Sequence, residues 1–136
     1  MLRRISTIAV SAAMLALSAW PALASAATMQ SSTHKLYFPS LRGVAAWGDY
    51  TKTARGVRIN VCAEDTGRGI FAVGAVTLAS NASYSRTGEL GAVAIGYHQG
   101  VCRSQTLRYT AHLRVYTFIG SNTGTIPKRS SIKVIY

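Results

Sequence analysis

Three histidines and four carboxylates are a thin supply of acid–base groups from which to build a reactive centre, and two cysteines stand beside them. An enzyme needs a nucleophile, an acid–base group or a metal. The sequence contains no H-E-x-x-H, no G-x-S-x-G, no phosphate-cradling G-x-x-x-x-G-K-[ST] and no D-x-D-x-D-G calcium loop. Glu64 and Asp65 are adjacent in a turn-rich stretch with no further ligands at metal spacing, so neither a metal nor a cofactor is implied. The enzyme reading that survives is a secreted basic ribonuclease, with Glu89 as base, His98 or His112 as acid, and Arg108 or Arg114 holding phosphate. Against it, the chain lacks the amphipathic N-terminal helix that such bacterial enzymes usually carry. Gly67-Arg68-Gly69 would offer a protease a basic side chain, but the flanking glycines loosen a loop that inhibition needs stiff. Asn81-Ala82-Ser83 matches a glycosylation sequon too short to carry weight. No catalytic residue is assigned, and the expectation is a non-enzymatic protein.

Cys62 and Cys102 take their meaning from the first 26 residues. Arg3 and Arg4 form a positive head, Ile8 to Leu17 a short apolar run, and Ala24-Ser25-Ala26 an A-x-A cleavage pattern. Residues 1–26 therefore read as a secretory signal peptide, cut after Ala26 or, as second choice, after Ala24. A membrane anchor would need roughly 20 apolar residues, more than this run provides. The expected location is extracellular, with no span in the mature chain. In an oxidising compartment the two cysteines read as a disulfide, for which there is one intramolecular pairing. A redox role would want C-x-x-C, and zinc would want more ligands.

Removing the leader leaves thirteen Lys and Arg against four carboxylates, a formal charge of +9. That balance favours association with an anionic surface or an acidic partner without choosing among them. The basic residues form no amphipathic helix, so a cationic cell-wall or envelope binding protein remains an alternative resting on charge alone.

The elements that would position these residues are strands. Leu107, Tyr109, Ala111, Leu113 and Val115 alternate with Arg108, Thr110, His112, Arg114 and Tyr116, which predicts one long central strand. Val57, Ile59 and Val61 alternate in the same way. Glu64 to Gly69 then supplies turn chemistry before an apolar run over 70–78, which predicts a hairpin. Residues 79–91 lack periodicity and read as a surface connection before the apolar run 92–97. Residues 120–127 are turn-rich, 132–136 close the chain as a last strand, and 47–51 add another near the start. About seven short strands in a chain of this length predict an all-β fold: a single β-sandwich with Greek-key or immunoglobulin-like connections and one disulfide, a small barrel being the alternative. The expected organisation is a flexible N-terminal segment over 27–38 and a sandwich over 39–136. Strict alternation puts Cys62 on the face of Arg58 and Asn60, so either a bulge turns it inward or the bridge lies at the surface.

Aromatic residues offer two surfaces for a partner. Tyr97 and Tyr109 fall on the apolar phase, whereas Tyr116 and Phe118 share the phase of Arg108, His112 and Arg114. A face of arginine, histidine and aromatics has the composition of an interface centre, unless a second sheet or loop covers it. Leu36-Tyr37-Phe38, ending at Pro39, could add to a partner's sheet edge or pair with its own domain. The stretches Leu90 to Tyr97, Cys102-Arg103 and Tyr109 to Phe118 resemble small exported one-domain proteins of filamentous actinobacteria. In outline the chain is similar to the adaptor subunit of umbrella toxin particles. That resemblance implies a connector joining other secreted proteins in an extracellular complex, its N-terminal segment docked in a cleft of one partner.

Overall fold

The computed structural model describes residues 31–136; the expected signal peptide lies outside the described residues. Strands β1 (Thr33–Leu36), β2 (Val44–Thr53), β3 (Gly56–Asp65) and β6 (Gly100–Arg108) form one antiparallel sheet in the order β1-β2-β3-β6. Strands β5 (Arg86–Ile95), β4 (Ala72–Ser80), β7 (His112–Gly120) and β8 (Lys128–Arg129) form the other, with β9 (Lys133–Val134) also on β7. The two sheets pack face to face as a β-sandwich. Strands β5 and β6 lie side by side where the sheets meet, so β4, β5 and β6 follow one another around the sandwich while β3 sits beside β6. That is a Greek-key path. No helix among the described residues is long and apolar enough to cross a membrane.

The core follows the predicted period of two. From β3, Val57, Ile59, Val61 and Ala63 point inward and meet Leu113 and Val115 of β7, all fully buried. Small residues of β4 and β5, Ala75, Ala79 and Ala92, fill the space between them. Two buried hydroxyls are satisfied across elements: Thr77 donates to the Leu90 carbonyl at 3.0 Å and Thr117 to that of Pro39 at 3.1 Å.

Several expected elements are placed differently. The long strand over 107–116 is two strands in different sheets, because the chain turns at Tyr109, whose φ of 54° is left-handed. The alternation runs through unbroken because Leu107 and Leu113 each face the core from their own sheet. The expected hairpin across 57–78 is a crossover: β3 pairs with β2 and β6, and β4 with β5 and β7. Residues 79–91 are a tight hairpin rather than a surface connection, since β5 already begins at Arg86. Its inward residues Gly88, Leu90, Ala92 and Ala94 are mostly too small to advertise the period. Tyr97 and Tyr109, expected inside, are 41% and 79% exposed.

Residues 33–38 are built into the domain. Strand β1 pairs with β2, Leu36 is buried opposite Gly48, and Phe38 packs on the core. The disulfide joins Cys62 and Cys102, direct register partners on β3 and β6 with Cα atoms 4.1 Å apart. It lies on the outer face, in line with the Asn60–Ser104 side-chain hydrogen bond of 3.0 Å, as strict alternation requires. Cys62 is nonetheless buried, flanked on its other side by its β2 partner Trp47.

Candidate functional site

Side chains on β7 alternate, and the outward set is His112, Arg114, Tyr116 and Phe118. Their register partners on β4 are Ser80, Leu78, Val76 and Gly74, and β5 continues the rows with Arg86, Glu89, Gly91 and Val93. Four of the five basic and aromatic residues expected on one face therefore share the outer face of the second sheet. Arg108 does not: it ends β6 in the other sheet, because the chain changes sheets at Tyr109.

Phe118 lies flat across this face because Gly74 has no side chain. A Cβ at Gly74 would sit 2.2 Å from Phe118 Cε1, inside any real contact distance. Tyr116 stands beside Phe118 at 6.4 Å between ring centroids, and the Arg129 guanidinium lies 5.4 Å from the Tyr116 ring. Partial burial pushes the Tyr116 hydroxyl's pKa up, Glu89 pushes it further, and Arg129 and Arg86 oppose the shift. Val93 and Ile95 extend the apolar surface and are 44% and 61% exposed. No strand or loop among the described residues covers them. Arg86 and Glu89 form an exposed ion pair at 3.1 Å on the rim. At the far end His112 stacks on Tyr84, rings parallel to 1° and 4.1 Å apart.

The groups available for ribonuclease chemistry are dispersed. His98 is at the opposite end of the sandwich, 3.6 Å from Glu64 and beyond hydrogen-bonding distance, with its ring against Tyr97. Glu89 shares a face with His112 and Arg114, but its carboxylate is engaged by Arg86 and the His112 ring by Tyr84. The described residues contain no group of three His, Cys, Asp or Glu placed to hold a metal. Of the N-terminal trio, Leu36 is buried and Phe38 half-buried, while Tyr37 is exposed with the Lys133 ammonium 5.7 Å from its ring.

Sequence reasoning missed Val93, Ile95 and Gly74. A period of two carried back through Ile95, Val93, Gly91 and Glu89 would have put them on one outer face, but Gly91 and the short inner side chains mask it.

Fold and surface together define a disulfide-bonded two-sheet β-sandwich, strongly basic, with an apolar outer face on one sheet. No protein-family model matches the chain, and no curated protein sequence matches it either. Among solved structures it is similar to an endonuclease/exonuclease/phosphatase from Beutenbergia cavernae DSM 12333, at 12% identity and a TM-score of 0.47. That likeness covers 76% of this chain and 27% of that one. At such similarity it carries no argument about fold family or activity.

Proposed function

We propose that this is an exported, non-enzymatic binding protein that docks another extracellular protein on the outer face of its second sheet, as an adaptor within a secreted complex. One observation carries the reading: Val93 and Ile95 stand exposed on the same outer face as the half-buried rings of Phe118 and Tyr116. An aromatic centre rimmed by arginines is the arrangement that concentrates binding energy at protein interfaces. Arg86, Arg114 and Arg129 outnumber Glu89 on that rim, so the partner is expected to be acidic around an apolar centre. The likeness in outline to umbrella toxin adaptors supports a connector role. Because Leu36 is buried and Phe38 packs on the core, this reading puts docking on the sheet face and not on the N-terminal segment.

The test is co-purification from culture medium with the mature chain as bait. A discrete secreted protein is expected, retained at 0.5 M salt and lost with Val93→Asp and Ile95→Asp, both exposed positions where folding should be unaffected. Recovery of only wall fragments, released by salt and indifferent to both substitutions, would favour the cationic wall binder. RNA cleavage by the parent protein, lost with His112→Ala, would favour the ribonuclease.

A further inference from the structure

At one end of the sandwich, three elements enclose a cleft of about 700 Å³ that shares only its end of the molecule with the face described above. The end of β2 contributes Lys52 and the turn after it Arg55, the β4–β5 turn Asn81, and the end of β6 Arg108 with Tyr109 just beyond it, Tyr136 closing one side. No acidic side chain lines it. The four carboxylates are elsewhere: Asp49 in mid-strand on β2, Glu64 and Asp65 at the opposite end, and Glu89 paired with Arg86. Three cations therefore line the cleft with no acidic side chain among them, the Lys52 ammonium resting 3.8 Å from the centre of the Tyr136 ring.

The walls are stiff. Asn81 Oδ1 accepts hydrogen bonds from the amides of Ser83 and Ser85, both at 3.0 Å, and the Tyr84 amide donates to the Asn81 carbonyl at 3.0 Å. The Ala111 amide donates to the Ser80 carbonyl at 2.8 Å and the Thr110 hydroxyl to that of Leu107 at 3.0 Å, tying the third turn to both sheets. Within these turns Tyr84 and Tyr109 both hold left-handed backbone, φ 62° and 54°, a conformation bulky residues rarely adopt. The result is that the Tyr109 ring, 79% exposed, stands out beside the cleft, whereas Tyr84 is stacked on His112 outside it. Turn formation alone would favour glycine or asparagine at both positions.

Three cations with no acidic side chain among the lining residues select an anion. The exposed Tyr109 ring beside the cations adds a preference for flat partners. Phosphates on cations and bases on aromatic rings are how unpaired strands are held. We infer that this cleft binds single-stranded nucleic acid: Lys52, Arg55 and Arg108 contact successive phosphates, and Tyr109 stacks a base.

The test is fluorescence anisotropy with a labelled dT10 oligonucleotide, with inorganic polyphosphate of matched charge as competitor. Three phosphate contacts predict that log K falls against log salt with a slope of about −2, at roughly −0.7 per contact for a single strand. Arg55→Ala with Arg108→Ala should reduce that slope by more than half. Tyr109→Asn, which suits the left-handed backbone and keeps the fold, should weaken dT10 about tenfold and leave polyphosphate unchanged. The inference is overturned if dT10 does not bind at 50 mM salt, or if polyphosphate competes equally and Tyr109→Asn changes nothing. Neither result bears on docking at the sheet face, because Val93→Asp leaves this cleft intact.

Discussion

Replacing both Cys62 and Cys102 by alanine removes the covalent tie between β3 and β6 while leaving the hydrogen-bonded ladder between them. The bridge closes a loop with a sequence separation of 40, holding both strands of the β4–β5 hairpin and both crossovers that lead into and out of the second sheet. In the chain-entropy model, opening a loop of that size frees the unfolded chain by about 4 kcal/mol at 25 °C. Truncating buried Cys62 adds a small packing loss, whereas Cys102 is exposed. The expected total is about 4 to 5 kcal/mol, a large share of the roughly 5 to 15 kcal/mol typical of a domain. For a chain of this size that corresponds to a fall in Tm of roughly 15 to 30 °C. Urea unfolding of the oxidised parent and the double variant, followed by tryptophan fluorescence, measures the difference directly. Trp47 is the register partner of Cys62, so its emission reports on this site. A loss below about 1 kcal/mol with unchanged urea dependence would refute the account, showing that the β3–β6 ladder holds the crossovers without the bridge.

Burial and the neighbouring Tyr50 push the Tyr136 phenol up to about 12 from an ordinary 10. Because the folded pKa is the higher, the stabilising difference is complete below pH 10 and is lost as pH rises through 12. A half-buried ring in contact with solvent should contribute about 1 kcal/mol of it, and urea midpoints from pH 9 to 12 should show a fall that Tyr136→Phe abolishes. Gly74→Val places a side chain where the Phe118 ring lies and should cost about 1 to 3 kcal/mol. Most of that cost should vanish in a Phe118→Ala background, a coupling that a double-mutant cycle reads. Thr117→Val keeps shape but deletes the hydrogen bond to the Pro39 carbonyl, and should cost about 1 kcal/mol in thermal unfolding.

Periodicity carried most of the architecture, because a two-sheet sandwich writes its core directly into alternation: Val57, Ile59, Val61, Leu113 and Val115 all face inward as their spacing predicts. Alternation says nothing about which sheet a strand joins. Leu107 and Leu113 keep one phase through the turn at Tyr109, so two strands in different sheets read as one, and alternation groups Arg108 with a face it does not share. The outer face was half legible. His112, Arg114, Tyr116 and Phe118 were visible from their spacing, but the position of Phe118 depends on Gly74, 44 residues earlier, and no local pattern reveals that contact. The cleft was illegible for the same reason: Arg55, Asn81 and Arg108 meet only because three turns converge at one end. Tyr109 falls on the apolar phase yet stands exposed, because an apolar phase cannot announce a left-handed backbone.

The central claim is that the outer face of β5, β4 and β7 meets a protein partner. Hydroxyl-radical footprinting of the complex isolated from culture medium tests it most directly, read residue by residue against the free chain. Protection concentrated at Val93, Ile95, Tyr116 and Phe118, with Trp47 on the opposite sheet unchanged, is the predicted result. Unaltered reactivity of those four residues, with protection confined to Trp47 or Tyr37, would contradict it.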